Sequence, residues 1–388
     1  MDKTGFRRIL SKYGPIMVGL ALILVLLIMP TGYEDNIVYQ ESIICPALVL
    51  STNDSLIIDT GLVRSGDQLC ELEILSGEFK GAICEGNNQL NGSLEQDKLF
   101  SPGDKALVRI NHQDGEILNV SMIDHYRVPS ELVLAALFVI LLVLFAGRTG
   151  VRALVSFAVC VLMIWKVLVP YSLNGVNPVY LGLGVVLIMA AMTVSLVYGF
   201  DRRALASLSG CVLAVAVTCI MGIIFTDLFK IHGAVMSYSE SLLYSGYSQL
   251  NLTRIFMASI FIGSSGAIMD LSVDITSSIS EVVEKKPDIT AREAIKSGFT
   301  VGRAALSTQT TTLLLAYSGG YISLLMVFMA QGTPLYTIFN LKYVAAEILH
   351  TLVGCFGLVT VAPLTAVTSG ILLTRRAAPK ARIESPES

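Results

Sequence analysis

The feature that most constrains this chain is a succession of apolar runs, most of them about as long as a bilayer is thick. A helix rises about 1.5 Å per residue, so roughly 20 apolar residues cross a ~30 Å hydrocarbon core. Such runs occupy positions 13–29, 132–147, 154–169, 178–200, 204–226, 255–278, 300–328 and 351–374. In lipid every backbone N–H and C=O must be paired within the segment, which makes helices the natural solution. Composition agrees: 53% of the residues are hydrophobic and only 15% charged, against about 25% charged in soluble domains. A water-soluble enzyme and a disordered chain are both excluded. A net charge of −3 argues against a nucleic-acid partner, which would need a basic face. The lipid bilayer is the first partner the chain implies.

Basic residues orient the runs. Lys3, Arg7, Arg8 and Lys12 precede the first and place the N-terminus in the cytoplasm. Pro30-Thr31-Gly32-Tyr33 lacks the paired small residues of a cleavage site, so this run reads as a retained anchor and not a signal peptide. Arg148 and Arg152, Arg202 and Arg203, and Lys285, Lys286, Arg292 and Lys296 mark the later inner loops. Trp165 and Lys166 sit at an outer end, where both can snorkel. If Gly319-Gly320 interrupts one long span, eight spans result and the basic tail at 375–388 lies inside. If 321–339 is a separate span, the count is nine and the tail lies outside. The tail charge favours eight. The expected fold class is therefore a membrane α-helical bundle of about eight transmembrane helices over 128–374, preceded by a cytoplasmic tail and anchor at 1–30.

Positions 31–127 stand apart. They carry 16 acidic and 6 basic side chains, a balance of −10, which leaves 21 basic and 14 acidic, or +7, elsewhere. Short runs around Ala47, Leu56, Cys70 and Val108, separated by Ser65-Gly66-Asp67, Pro102-Gly103-Asp104 and Asp114-Gly115, read as five or six strands. A small extracytoplasmic β domain, barrel or sandwich, is expected. Its histidines, His112 and His125, stand singly and read as structural. Cys45, Cys70 and Cys84 lack metal-ligand spacing and leave room for one disulfide of unassigned pairing. Cys160, Cys211, Cys219 and Cys355 read as small core residues.

The chemistry concentrates near 266–312. Asp270 and Asp274 are four apart and share a helical face, followed by Ser277 or Ser278 and then Glu281. Counted from Ile255, Asp270 lies about 22 Å down. Carboxylates at such depth are costly and face a bundle interior or an aqueous cavity. The next span carries Arg303 at a similar depth and then Ser307, Thr308, Gln309, Thr310, Thr311 and Thr312. An acid pair (Asp270, Asp274) answered by Arg303, lined by Ser277, Ser307, Thr308, Gln309, Thr311 and Thr312, suits a proton or monovalent-cation relay. The plainer reading is a solvated helix end, a snorkelling Arg and hydroxyls bonded to their own helix. Thr290 and Glu293, three apart, form a capping box, expected on a short cytoplasmic helix.

Three blocks, "GAIMDLSVDITSSISEV", "AIKSGFTVGRAALSTQTTTLLLAYSGG" and "GLVTVAPLTA", resemble the YibE/F-like family of multi-pass bacterial membrane proteins. That resemblance implies the architecture and a bacterial cytoplasmic membrane but carries no biochemical activity; the basic flank and tail are what place both termini in the cytoplasm. The order anchor, exported domain, Asp-bearing helix, Arg/Thr-rich helix is also similar to SecD/SecF-type proton-driven permeases, in which Asp270 or Asp274 and Arg303 would hold coupling roles. The expectation is a proton- or cation-coupled secondary permease. A second expectation is a non-catalytic scaffold or translocation accessory whose exported domain binds a protein partner. A remote third rests on Gly263-Ser264-Ser265-Gly266, which looks like the motif of rhomboid-type serine proteases, with His350 as base for Ser265. No phosphate-binding loop, zincin or haem-attachment motif occurs, so no cofactor is expected and no metal site.

Overall fold

A computed structural model describes residues 3–33 and 42–374, with side chains from Tyr13 onward. The basic tail and the flanking side chains of Lys3, Arg7, Arg8 and Lys12 lie outside the described residues. The chain divides into two compact units, Glu34–Phe145 and Met1–Tyr33 with Ala146–Ser388.

In the first unit, strands β1 (Ser42–Asp59), β2 (Arg64–Ile74), β3 (Ile83–Asn91), β4 (Lys105–Gln113) and β5 (Glu116–His125) close a barrel in the order β1-β2-β3-β5-β4. Period-two alternation builds its core: Cys45, Ala47 and Val49 point inward from β1, Cys70, Leu72 and Ile74 from β2, and Val108 and Ile110 from β4. Two runs that read as separate strands belong to one 18-residue β1, which stays continuous through register shifts between Val49 and Ser51 and between Asn53 and Leu56. The β4–β5 hairpin turns at Asp114-Gly115, both at positive φ. One buried polar knot sits inside: Gln68 donates to Asp54 and to the Phe100 carbonyl, and Asn88 donates to Gln68. Phe79 packs on His112 and Phe100 on His125, which gives both histidines a packing role. Cys45, Cys70 and Cys84 are unbridged thiols. Burial pushes the Cys70 thiol up to about 11.

The helical part comprises α1 (Lys3–Ile28), α2 (Val128–Leu162), a π-helical stretch Met163–Leu168, α3 (Val169–Leu173), α4 (Pro178–Tyr198), α5 (Arg202–Leu228) and α6 (Ser239–Tyr244). It continues with α7 (Leu252–Lys285), α8 (Ala291–Ser318), α9 (Ile322–Ala330), α10 (Leu335–Asn340) and α11 (Lys342–Thr374). Among the described residues six stretches are long and apolar enough to cross a membrane, and Tyr13–Ile28 is a shorter apolar helix. The longest, Val128–Leu173, is broken at Gly147, whose φ of 53° is non-helical, so it covers the two runs expected at 132–147 and 154–169.

The core of the second unit is α5, α7 and α11, with α4 and α8 packed around them; Phe261, Ile268, Leu271, Ile275 and Leu358 are fully buried. Hydroxyls tie these helices together. Ser207 and Ser272 share a 3.0 Å bond, Thr365 donates to Ser272 at 3.1 Å, and Thr276 bonds Ser369 at 2.9 Å. Small residues permit the approach: a Cβ on Gly210 would collide with Thr365. Elsewhere in this unit Lys166 donates to the carbonyl of Met29 just beyond α1, which satisfies an end group that the helix itself cannot.

Two local expectations change. The Thr290–Glu293 capping box is present, but it opens the 28-residue α8 and not a separate short helix. The last helix begins at Lys342, nine residues before the expected span, and so takes in Glu347 and His350.

Candidate functional site

Polar side chains gather at two levels of the α7–α8–α11 assembly. The first is the stretch expected from sequence. On α7, Ile268, Leu271, Ile275 and Ile279 are buried, while Asp270, Asp274, Ser277 and Glu281 form an exposed stripe on the opposite face. The i, i+4 spacing does bring Asp270 and Asp274 onto one face. Arg303 does not answer them: none of the ion pairs among the described residues contains Asp270, Asp274 or Arg303. Helix phase is the reason. Gly302 packs against Ile275 and Ala362, and Arg303, one residue on and about 100° round the helix, is turned out of that contact and exposed. Beside Asp274 the structure places α4, where the Tyr198 hydroxyl donates to the Val273 carbonyl at 2.5 Å and the Arg203 guanidinium lies 5.5 Å above the Tyr198 ring.

The hydroxyl run of α8 is largely self-satisfied. Thr308 donates to the Ala305 carbonyl, Thr311 to Ser307 and Thr312 to Thr308, all within α8. Ser307, Thr308, Thr311 and Thr312 are exposed, whereas Gln309 is half-buried and its Oε1 has no hydrogen-bond partner.

The second level escaped the sequence reading, which singled out His350 only as a base for Ser265. Near the C-terminal end of α8 and the N-terminal end of α11, the Tyr317 hydroxyl, Glu347 Oε1 and His350 Nε2 are all buried without a hydrogen-bond partner. The rings of Tyr317 and His350 stack with centroids 4.5 Å apart and planes 29° apart. Both tips converge on Gly263 of α7: a Cβ there would lie 2.7 Å from Tyr317 Oη and 3.1 Å from His350 Nε2. Glu347 and His350 are three apart and so share one face of α11. The signal that could have found them is charge scarcity, since Glu347 is the sole acidic residue between Glu293 and Glu384.

The protease-like motif lies alongside but is not assembled. Ser265 donates to the Ile262 carbonyl at 2.7 Å and Ser264 to Ile260 at 3.1 Å, while His350 Nε2 is unpartnered. No group of three or more His, Cys, Asp or Glu able to hold a metal occurs among the described residues.

No curated protein and no solved structure matches the chain, so the likeness to SecD/SecF stands without support from them. Residues 134–375, which hold both polar levels, match the YibE/F-like protein family. That span is more than half of the 388 residues, and the chain belongs to the YibE/F-like family.

Proposed function

We propose that this membrane protein is a secondary permease driven by protons or monovalent cations. One observation carries the reading: Tyr317, Glu347 and His350 present buried, unsatisfied polar atoms within helices of membrane length. Buried polar atoms are nearly always paired, and ionisable groups within membrane helices are costly enough to mark ion or substrate paths. Orphaned atoms on two packed helices, with the Tyr317 and His350 tips meeting at Gly263 of a third, suit a ligand which comes and goes. In this reading the exposed stripe of Asp270 and Asp274 is the inner approach to the path, with Arg303 and the hydroxyls of α8 beside it. Eight spans, both termini in the cytoplasm and a barrel on the outer side complete the arrangement, and the chain is not an enzyme.

The test is flux. Purified full-length protein in liposomes carrying a pH-sensitive dye should collapse an imposed proton gradient, with or without Na⁺ or K⁺ opposite. Glu347→Gln and Asp270→Asn should each slow it by about tenfold or more, the scale on which a lost charge at a coupling site acts. Unchanged rates in both variants, or rates equal to empty liposomes, would overturn the permease reading. A scaffold role would then lead. It is favoured by one observation, the exposed apolar side chains Ile58, Leu62, Ile83, Leu94 and Leu118 on the barrel, which suit a protein partner.

A further inference from the structure

Glu347 lines a cleft of about 370 Å³ whose other walls include Leu314, Tyr321, Leu325, Phe339 and Leu352. Glu347 is the one acidic side chain in a predominantly apolar wall whose other polar members are the hydroxyls of Ser318, Tyr321 and Thr351. The side chain of Tyr321 approaches the carboxyl group, while Oε1 is left with no partner. No Lys or Arg forms an ion pair with Glu347 among the described residues.

This combination selects a ligand class. An inorganic cation wants several oxygens around it, about six for Mg²⁺ or Ca²⁺, and the cleft offers one carboxylate with the hydroxyls of Ser318, Tyr321 and Thr351. A volume of 370 Å³ falls within the range of small-molecule pockets, which are mostly apolar with a few fixed polar groups. A carboxylate held in an apolar wall is costly unless it takes up a proton or a positive charge answers it. The rings of Tyr321 and Phe339 add faces that attract a cation stripped of water. We infer that the cleft at Glu347 binds a lipophilic organic cation, with the Glu347 carboxylate as its counter-ion and Tyr321 and Phe339 against its faces. The inference rests on the permease reading for its purpose, and gives that permease a substrate class: amphiphilic amines or quaternary cations drawn from the bilayer.

Two probes of matched size and opposite charge decide it. Tetraphenylphosphonium and tetraphenylborate are titrated into detergent-purified full-length protein, with binding followed by equilibrium dialysis and by the thermal midpoint. Tetraphenylphosphonium should bind saturably and raise the midpoint, and tetraphenylborate should do neither. Glu347→Gln should weaken the phosphonium by at least about tenfold, and Leu325→Trp, which fills the cleft while keeping the carboxylate, should weaken it similarly. Equal response to both ions, or affinity unchanged in either variant, would overturn the site. Should Glu347→Gln fail to fold, Leu325→Trp with the two ions decides alone. The permease reading fails separately: phosphonium binding without proton-coupled flux leaves the site and removes the transport, whereas flux without phosphonium binding does the reverse.

Discussion

Single side chains in this molecule differ mainly in who answers them. Asp97 is fully answered: its carboxylate accepts from the backbone N–H of Asn91 at 3.0 Å and of Ser93 at 2.7 Å. Those backbone bonds, led by Asn91, hold its carboxyl below the usual range. A group whose folded pKa is depressed contributes stability that is present above its ordinary value, about 3.9 for Asp. That contribution is lost as the pH falls through the folded value. The thermal midpoint of the full-length protein should therefore decline as pH drops below about 4. In Asp97→Asn the midpoint should start lower at neutral pH and decline less steeply; parallel curves for the two proteins would contradict the assignment. Glu347 is the opposite case, a carboxyl with one oxygen unanswered. It shows where sequence reading stops at this scale. Asp270 and Asp274 announce themselves as a pair, whereas Glu347 acquires its surroundings from Tyr321, twenty-six residues earlier, through a fold that one helix's sequence does not contain.

Between elements the deciding quantity is how closely backbones approach. Gly210 of α5 lies against Thr365 of α11, so that a Cβ would collide with the threonine, while Gly184 of α4 has nothing within 4 Å of that position. Substitution by Ala should act with opposite sign at the two sites. At Gly184 it should be neutral to stabilising by up to about 1 kcal/mol, from helix propensity. At Gly210 it should cost about 1–3 kcal/mol, because α5 and α11 must separate. Unfolding in mixed micelles measures both, and equal effects would contradict the packing described.

This is also the scale at which legibility was best and worst. Thr290 and Glu293 encode their capping box in four consecutive residues, and it forms with both reciprocal bonds. The breaks at Gly319-Gly320 and at Gly147 fall where glycine says they can. The pairing of Arg303 with Asp270 and Asp274 fails because it depends on the relative rotation of α7 and α8. That rotation is set by Gly302 against Ile275 and Ala362, and depth along a helix carries no information about it.

At the scale of the whole molecule the surface is the argument. Leu134, Leu141, Leu144 and Phe145 of α2 are exposed, Phe145 at 92%, and water is a poor solvent for such a helix. The bilayer supplies the missing contact, and it also fixes which loops face which compartment. The proposed orientation, read from the charge asymmetry of the loops, puts the acidic barrel outside and the Lys285–Lys286 turn inside. Single cysteines introduced at Asn53 of β1 and at Asp288, between α7 and α8, in a background lacking Cys84, separate the alternatives. In intact cells an impermeant maleimide should label the Asn53 site alone, and the Asp288 site only after permeabilisation. Labelling of both from outside would overturn the orientation.

The closure of the barrel has a consequence for how it comes into being. β2 and β3 pair over nine positions from Ser65↔Asn91 to Glu73↔Ile83, whereas β3 and β5 meet in parallel at only two, Gly86↔Val120 and Asn87↔Ser121. The long antiparallel ladder joins neighbours in sequence and closes a short loop, but the two-rung seam must wait for some thirty residues and the whole β4–β5 hairpin. Loop-closure entropy puts such a contact late. During synthesis the barrel is thus an open sheet with bare edges until its last strand arrives. The seam that shuts last, having the fewest rungs, is also the one that mechanical tension would part first.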